Sequence, residues 1–264
     1  MAEQLIHTEL EEGVFLIYLD RPDKLNSFTE PMARQLQEAL DEGGHSREVR
    51  CVLLTGEGRA FSSGQDLMEV LGKSDSDEDY RLEDTVRASY NPIIKAIRYM
   101  EKPVVCAVNG TAAGAGANIA LACDIVLASK EASFVQSFSK IGLIPDSGGT
   151  FFLPRLVGLQ RANVLYMLDE RIPAEEAARM GLIYKAVEAD ALMDEARSIG
   201  RKLAGMPTRG FGLYKQAVNR SLQNDLEDQL DLEADLQTEA GKTDDYAEGV
   251  RAFLEKRKPE FKGK

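Results

Sequence analysis

Three segments of the chain carry residue types and spacing that suit chemistry. Gly110-Thr-Ala-Ala-Gly-Ala-Gly-Ala117 follows Val104–Asn109, a run of buried-strand character. Small residues leave peptide N–H groups unshielded at a strand-to-helix turn, where the helix dipole adds positive potential. Phe61-Ser-Ser-Gly-Gln65 is a second small-residue turn before a helix. Two such N–H groups converging on one oxygen form an oxyanion hole, which stabilises developing acyl or enolate charge. Two tight packing turns would have the same composition. The third segment is Ile141-Gly-Leu-Ile-Pro-Asp146-Ser-Gly-Gly-Thr150. Asp146 either caps the helix that follows, as an N-cap or Asx-turn acceptor, or is a desolvated carboxylate of raised pKa that moves a proton reversibly.

The same residues exclude other chemistries. Gly114 and Gly116 fill two slots of a dinucleotide fingerprint, but Ile119 stands in the third and no acid follows at ribose distance. No GxxxxGK[ST] loop exists. His7 and His45 lie far apart, with no cysteine or second histidine at ligand spacing, so no metal is expected. Lys and Arg total 32 against 44 Asp and Glu, a net charge of −12 that works against nucleic-acid binding. It leaves room for a polyanionic small molecule held by a few local cations. Cys51, Cys106 and Cys123 are too few for a disulfide framework and fit a reducing compartment. No run reaches the ~20 apolar residues of a membrane span. The acidic stretch from Met1 to Gly13 lacks the order of a signal peptide. The expectation is a soluble, cytoplasmic protein with no membrane partner. Its 264 residues, 44% apolar, suffice for one large core.

The elements that must position these segments follow from periodicity. Ile6–Glu11 and Val14–Leu19 around Glu12-Gly13 predict a hairpin. Thr29 reads as an N-cap with Pro31 in the first turn. Met32, Leu36, Ala39 and Leu40 then form the apolar face of a helix stopping near Gly43-Gly44. Cys51–Thr55, Val104–Asn109, Asp124–Ala128 and Ser133–Gln136 read as strands, the second apolar enough to be buried on both faces. Gly72 to Asp79 reads as a polar, acidic loop, and Leu82–Met100 as a helix that Pro92 kinks or divides. Helical segments dominate from Gly148 onward. The last, Asp245–Lys256, carries Asp245-x-x-Glu248 as a capping box and an apolar stripe of Tyr246, Val250, Phe253 and Leu254. Lys256, Arg257 and Lys258 at its end suit either the helix dipole or the phosphates of a ligand. An α/β core thus precedes a helical module.

Together these motifs resemble the crotonase (enoyl-CoA hydratase/isomerase) superfamily, in the family's order from Arg21 to Phe261. The matches are Arg21-Pro22 with Asn26-Ser27, Ala60-Phe-Ser-Ser-Gly-Gln-Asp-Leu67, and Lys102-Pro103 with Val108-Asn109-Gly110. Gly114-Ala-Gly116 and Ile141-Gly-Leu-Ile-Pro145 with Gly148-Gly149-Thr150 complete them. The resemblance implies an α/β, ClpP/crotonase-like spiral of ββα turns over residues 1–200 and a C-terminal helical trimerisation region over 201–264. It implies an acyl-CoA substrate, coenzyme A being part of the substrate with no separate cofactor, and a homotrimer or a dimer of trimers. By position it assigns the oxyanion-hole amides to the backbone N–H groups of Gln65 and Ala115. It assigns coenzyme A contacts to Lys24, Leu25, Ser63, Asp66 and the C-terminal helix, where Lys256 stands.

Departures from the family's pattern bear on the reaction. Hydratases use two glutamates where this chain has Asn118 and Phe138; neither exchanges a proton, which disfavours water addition. Asp146 falls on the family's other acid/base position, which holds aspartate in dienoyl-CoA isomerases and in the ring isomerases of phenylacetate catabolism. An aspartate there is also a dehalogenase nucleophile, but beside a tryptophan, and this chain has no Trp. The resemblance therefore implies an isomerase with one carboxylate, closest to the members that open an epoxide-fused ring to an oxepin. A straight-chain enoyl- or dienoyl-CoA isomerase and a non-catalytic assembly or RNA-binding member are the other expectations. Phe138, Ile144 and Phe151 are expected to exclude water around Asp146. Asn118 serves packing or a substrate hydrogen bond.

Overall fold

The computed structural model describes residues 3–76 and 78–264. β1 (Ile6–Glu11) and β2 (Val14–Leu19) pair antiparallel as predicted, Ile6 opposite Leu19. The Thr29 side chain accepts the Met32 N–H and opens α1 (Glu30–His45), whose Met32, Leu36 and Leu40 are buried. The helix includes Gly43 and Gly44 and ends one residue later at His45, close to the predicted stop. A Cβ at Gly43 would lie 2.9 Å from the Phe15 ring, so the glycine serves close packing on β2.

β3 (Cys51–Gly56) and β4 (Ala60–Ser62) follow. The loop expected over 72–79 is a helix in its first half: α2 spans Leu67–Ser76, and residue 77 lies outside the described residues. Asp66 Oδ1 accepts the Met68 N–H at its start, and Lys73 pairs with Glu30 at 2.6 Å, ties that hold a polar segment helical. Leu82–Met100 is divided, as Pro92 requires, into α3 (Leu82–Thr85), a π-turn (Val86–Tyr90) and α4 (Asn91–Tyr99). Pro92 has no N–H for the Ala88 carbonyl. Gln37 Nε2 from α1 supplies the missing donor, 2.9 Å from both the Ala88 and Ser89 carbonyls.

β5 (Val104–Val108) and β6 (Thr111–Ala113) lead into α5 (Gly114–Ala122), then β7 (Ile125–Ser129) and β8 (Ser133–Val135). α6 (Gly149–Val157), α7 (Leu159–Met167), β9 (Ile172–Pro173), α8 (Ala174–Arg179) and β10 (Lys185–Val187) come next. α9 (Leu192–Ala204), α10 (Thr208–Ser221), α11 (Leu226–Ala240) and α12 (Asp244–Glu255) close the chain. One sheet has the order β1-β2-β3-β5-β7-β10 and the other β4-β6-β8-β9. The pairs β3/β4, β5/β6 and β7/β8 each give one strand to each sheet before a helix, which is a ββα turn repeated. Every pairing from β2 onward in the first sheet is parallel.

The first sheet is buried on both faces. Val14, Leu16, Cys51, Leu53 and Val105 pack against Leu192 and Ala196 of α9, while Phe15, Ile17, Val52 and Leu54 join the larger core under α1, α4 and α5. Cys51, Cys106 and Cys123 are free thiols inside it. α10 is fastened to this core by Lys215, whose Nζ donates to the Ile97 and Lys102 carbonyls and to Asp124 Oδ2 at 2.7 Å. Asp124 also takes Arg98 and the Val104 N–H. No helix among the described residues is long and apolar enough to cross a membrane.

Candidate active site

The loop after β2 builds the floor of the site. Pro22–Lys24 is a single 3-10 turn, and Leu25 and Asn26 both take left-handed backbone at φ 51°. Asn26 is fully buried and tolerates that conformation because its side chain is satisfied locally. Its Oδ1 accepts the Arg21 N–H at 2.8 Å, and its Nδ2 donates to the Glu57 and Ala60 carbonyls at 2.9 and 2.8 Å. Ser62 Oγ donates to the Asn26 carbonyl and accepts the Gly64 N–H. The Ser63 N–H reaches the Leu25 carbonyl at 2.9 Å. Lys24, Leu25, Ser63 and Asp66 are thereby brought to one edge. The Asp66 carboxylate is engaged within the chain, 3.2 Å from both Arg21 Nη1 and Ser27 Oγ. Burial raises its pKa, but the bonds from Arg21 and Ser27 outweigh that and hold it below the usual carboxylate range.

The two small-residue turns touch. Gly64 (φ 88°) and Gly114 (φ 52°) occupy the left-handed region. A Cβ at Gly64 would meet the Ala113 carbonyl at 2.9 Å and stand 3.5 Å from the Ala115 nitrogen, so only glycine allows this approach. Gly116 is pressed on Ser62 in the same way, 2.6 Å from where its Cβ would be. Phe28 bridges Gln65 by donating to the Gly64 carbonyl and accepting from the Asp66 N–H. The Gln65 N–H therefore faces away from Phe28. Ala115 lies in the first turn of α5, whose N–H groups have no acceptor within the helix. Two amides on adjoining turns, one at a helix N-terminus and neither with an acceptor among the described residues, are what an anionic oxygen requires.

Asp146 does not cap α6. Gly148, at φ 76°, holds the cap position. The Asp146 carbonyl instead accepts from Gly149 N at 2.8 Å and from Asn118 Nδ2 at 2.9 Å. Asn118 is fully buried, and its Oδ1 accepts from Gln136 Nε2 at 3.2 Å. A Cβ at Gly149 would collide with Asn118 at 2.4 Å, so the α6 start is packed on that amide. Asn118 thus holds the main chain that carries Asp146. The carboxyl itself is half-buried, and Ser147 Oγ bonds its Oδ1 at 2.9 Å. Burial pushes its pKa above the usual carboxylate range, against the smaller opposing pull of Ser147. Phe138 is buried, with its ring tip 3.9 Å from a Cβ position on Gly114, beside the Ala115 turn. Ile144 departs from expectation: it is 75% exposed and does not screen Asp146 within the protomer.

Lys256 is not brought to these groups within one protomer. It is exposed, at the end of α12 in left-handed backbone. The capping box expected there is replaced by Thr243, whose Oγ1 accepts the Tyr246 N–H at 3.1 Å. Asp245 and Glu248 bind the chain's last residues instead: Asp245 takes the Lys262 and Gly263 N–H groups, and Glu248 takes Arg257 and the Glu260 N–H. Gln136 and Tyr90 are residues of this region that the sequence did not single out. Tyr90 had one local signal, Pro92 two positions on, which marks a disturbed helix but not which side chain turns inward.

Residues 9–264 match the enoyl-CoA hydratase/isomerase family. The 1,2-epoxyphenylacetyl-CoA isomerase of Escherichia coli is 47% identical over 99% of both chains. A Rhodobacter capsulatus protein named "Probable enoyl-CoA hydratase" is 46% identical over the full length of both. The crystal structure of an enoyl-CoA hydratase from Bacillus anthracis superposes with a TM-score of 0.90 at 33% identity, covering 99% of this chain and 100% of that one.

Proposed function

Because the chain belongs to the enoyl-CoA hydratase/isomerase family, we propose that it isomerises an acyl-CoA thioester, with the 1,2-epoxide of phenylacetyl-CoA as substrate and the oxepin as product. The observation that carries this reading is that Asp146 is the lone proton-exchanging side chain at the three acid/base positions, beside Asn118 and Phe138. Water addition needs a base for water and an acid for the α-carbon. An isomerisation has no net proton demand, so one carboxylate suffices.

In this mechanism the thioester oxygen sits between the N–H groups of Gln65 and Ala115, which stabilise the enolate and acidify the α-carbon. Asp146 takes the α-proton, the epoxide-fused ring opens to the seven-membered oxepin, and Asp146 returns the proton to a ring carbon. Its raised pKa suits it to both directions of transfer. Lys24, Leu25 and Ser63 line the coenzyme A side. The apolar face of α12, with Phe253 at 83% and Leu254 at 74% exposure, supports residues 201–264 as the contact region of a homotrimer. That packing would deliver Lys256 to a neighbouring site.

The test compares wild type with Asp146→Asn on a 3-enoyl-CoA ester in heavy water, then on the epoxide. Double-bond migration with deuterium uptake in wild type, lost in the variant while the ester still binds, supports the mechanism. Turnover of the enoyl ester without turnover of the epoxide would move the substrate to straight chains. Equal activity in both proteins would remove Asp146 as the base.

A further inference from the structure

Tyr90 is the tyrosine without an explanation. Of the eight in the chain, Tyr18, Tyr80 and Tyr166 bond through their hydroxyls to Glu9, Thr85 and the Leu143 carbonyl. Tyr99, Tyr184, Tyr214 and Tyr246 are exposed. Tyr90 is 1% exposed overall, and among the described residues its hydroxyl has no hydrogen-bond partner. Its oxygen is not among the fully enclosed polar atoms that lack a partner, so the hydroxyl is the open tip of an otherwise buried ring and is free to take a ligand as its acceptor.

Its position supplies the explanation. Tyr90 ends the π-turn before α4, a geometry that recurs at functional sites. Tyr90, Ile94 and Arg98 are spaced by four and form one stripe. Ile94 Cγ2 lies 3.7 Å from a Cβ position on Gly148, and the Arg98 guanidinium stands 5.6 Å over the Phe152 ring. The stripe therefore runs along the start of α6, and Tyr90 occupies the turn nearest Asp146. On its other side the ring meets Phe28 edge-on at 6.2 Å, and Phe28 is the residue bridged to Gln65. The phenol thus stands between the Phe28–Gln65 bridge and the Asp146 carboxylate, the foremost charge acting on it.

We propose that Tyr90 is a substrate-binding residue whose phenol O–H donates a hydrogen bond to an oxygen borne by the acyl group, such as an epoxide, ring ether or ring hydroxyl. This rests on reading the surrounding cleft as the acyl-CoA site. Burial, with the nearby negative charge of Asp146, keeps the phenol protonated, so it acts as a donor and not as a second acid/base. A hydrocarbon acyl chain would leave the hydroxyl unpaired, whereas an oxygen beside the ring would satisfy it. Sites built around such a donor discriminate strongly against the analogue that lacks the acceptor.

Calorimetric binding of two inert thioesters, phenylacetyl-CoA and 2-hydroxyphenylacetyl-CoA, to wild type and Tyr90→Phe tests this without turnover. Wild type should prefer the hydroxylated ester by about tenfold, and Tyr90→Phe should reduce that preference to within about twofold while binding phenylacetyl-CoA undiminished. Its Tm should stay within about 2 °C of wild type. An unchanged preference in the variant, no preference in wild type, or equal weakening of both esters would overturn the proposal, the last marking a packing role. The Asp146 mechanism is judged separately by turnover of the 3-enoyl ester. Either reading therefore fails without the other.

Discussion

At the scale of single residues, Asp146 sets two opposing expectations. In the proposed mechanism it is the base, so Asp146→Asn should lower kcat by about 10²–10⁴ with the ester Kd little changed, measured by deuterium exchange and calorimetry. Its proton-accepting form appears on raising pH through a midpoint that burial places above the usual carboxylate range, so kcat/KM should climb through that shifted midpoint. The sign for stability is the reverse. A carboxyl whose folded pKa lies above its unfolded value favours folding only when protonated, so at neutral pH the ionised Asp146 weakens the fold. Asp146→Asn should therefore melt higher than wild type at pH 7, and the gain should vanish below about pH 4, where the unfolded carboxyl is also protonated. Thermal melts across that range check it. Asn118 acts at one remove. Asn118→Ala leaves the Asp146 carbonyl and Gln136 short of partners, which should cost about 1–3 kcal/mol in urea unfolding and lower kcat with KM less affected. The sequence marked Asp146 by its Pro-Asp-Ser-Gly-Gly surroundings. It left the role of Asn118 open because an amide 28 positions away bonds a main-chain atom, which no side-chain pattern records.

Among the elements, the meeting of the β4–α2 turn with the start of α5 is the most demanding. Gly64→Ala forces a Cβ to within 2.9 Å of the Ala113 carbonyl in left-handed backbone. It should drop kcat about 10²-fold by parting the two amides; enzyme assays beside a circular-dichroism spectrum of unchanged shape distinguish this from unfolding. These turns were legible because glycine and alanine runs are rare enough to stand out. The β1–β2 hairpin, α1 and the C-terminal helices were legible because their periodicity is long. β4, β6, β9 and β10 span two or three residues each, and their pairing partners are distant in sequence. Their register is set by the sheets they join, the second for β4, β6 and β9 and the first for β10, and not by local preference. The start of α2 was legible, but its second half was hidden for another reason: Gly72 and the acidic residues argue for a loop, and the Lys73–Glu30 contact that opposes them comes from α1. The true cap of α12 was missed because Thr243 and Asp245 are equally good candidates. The chain's last residues decide between them by claiming Asp245.

For the whole molecule, the join between the ββα spiral and the helices after it rests on Lys215 and Asp124. Asp124→Asn would leave a buried ammonium without its counter-charge, and urea titration should show a loss of about 3–5 kcal/mol. The outer face of α12 should matter to assembly rather than to folding, so Phe253→Glu should reduce sedimenting mass while the protomer keeps its Tm in dilute solution. The three cysteines have a consequence of a different kind. Cys51, Cys106 and Cys123 lie inside the first sheet and its covering helix, and burial pushes the Cys51 thiol up to about 12. A trace of thiol-reactive dye at pH 7 therefore marks only molecules that have opened, which makes the unaltered chain a clock of its own unfolding. Adding an acyl-CoA ester should slow that clock by the factor 1 + [L]/Kd when opening and reclosing outpace labelling, so the rate at which colour accumulates becomes a measure of affinity for esters that never react.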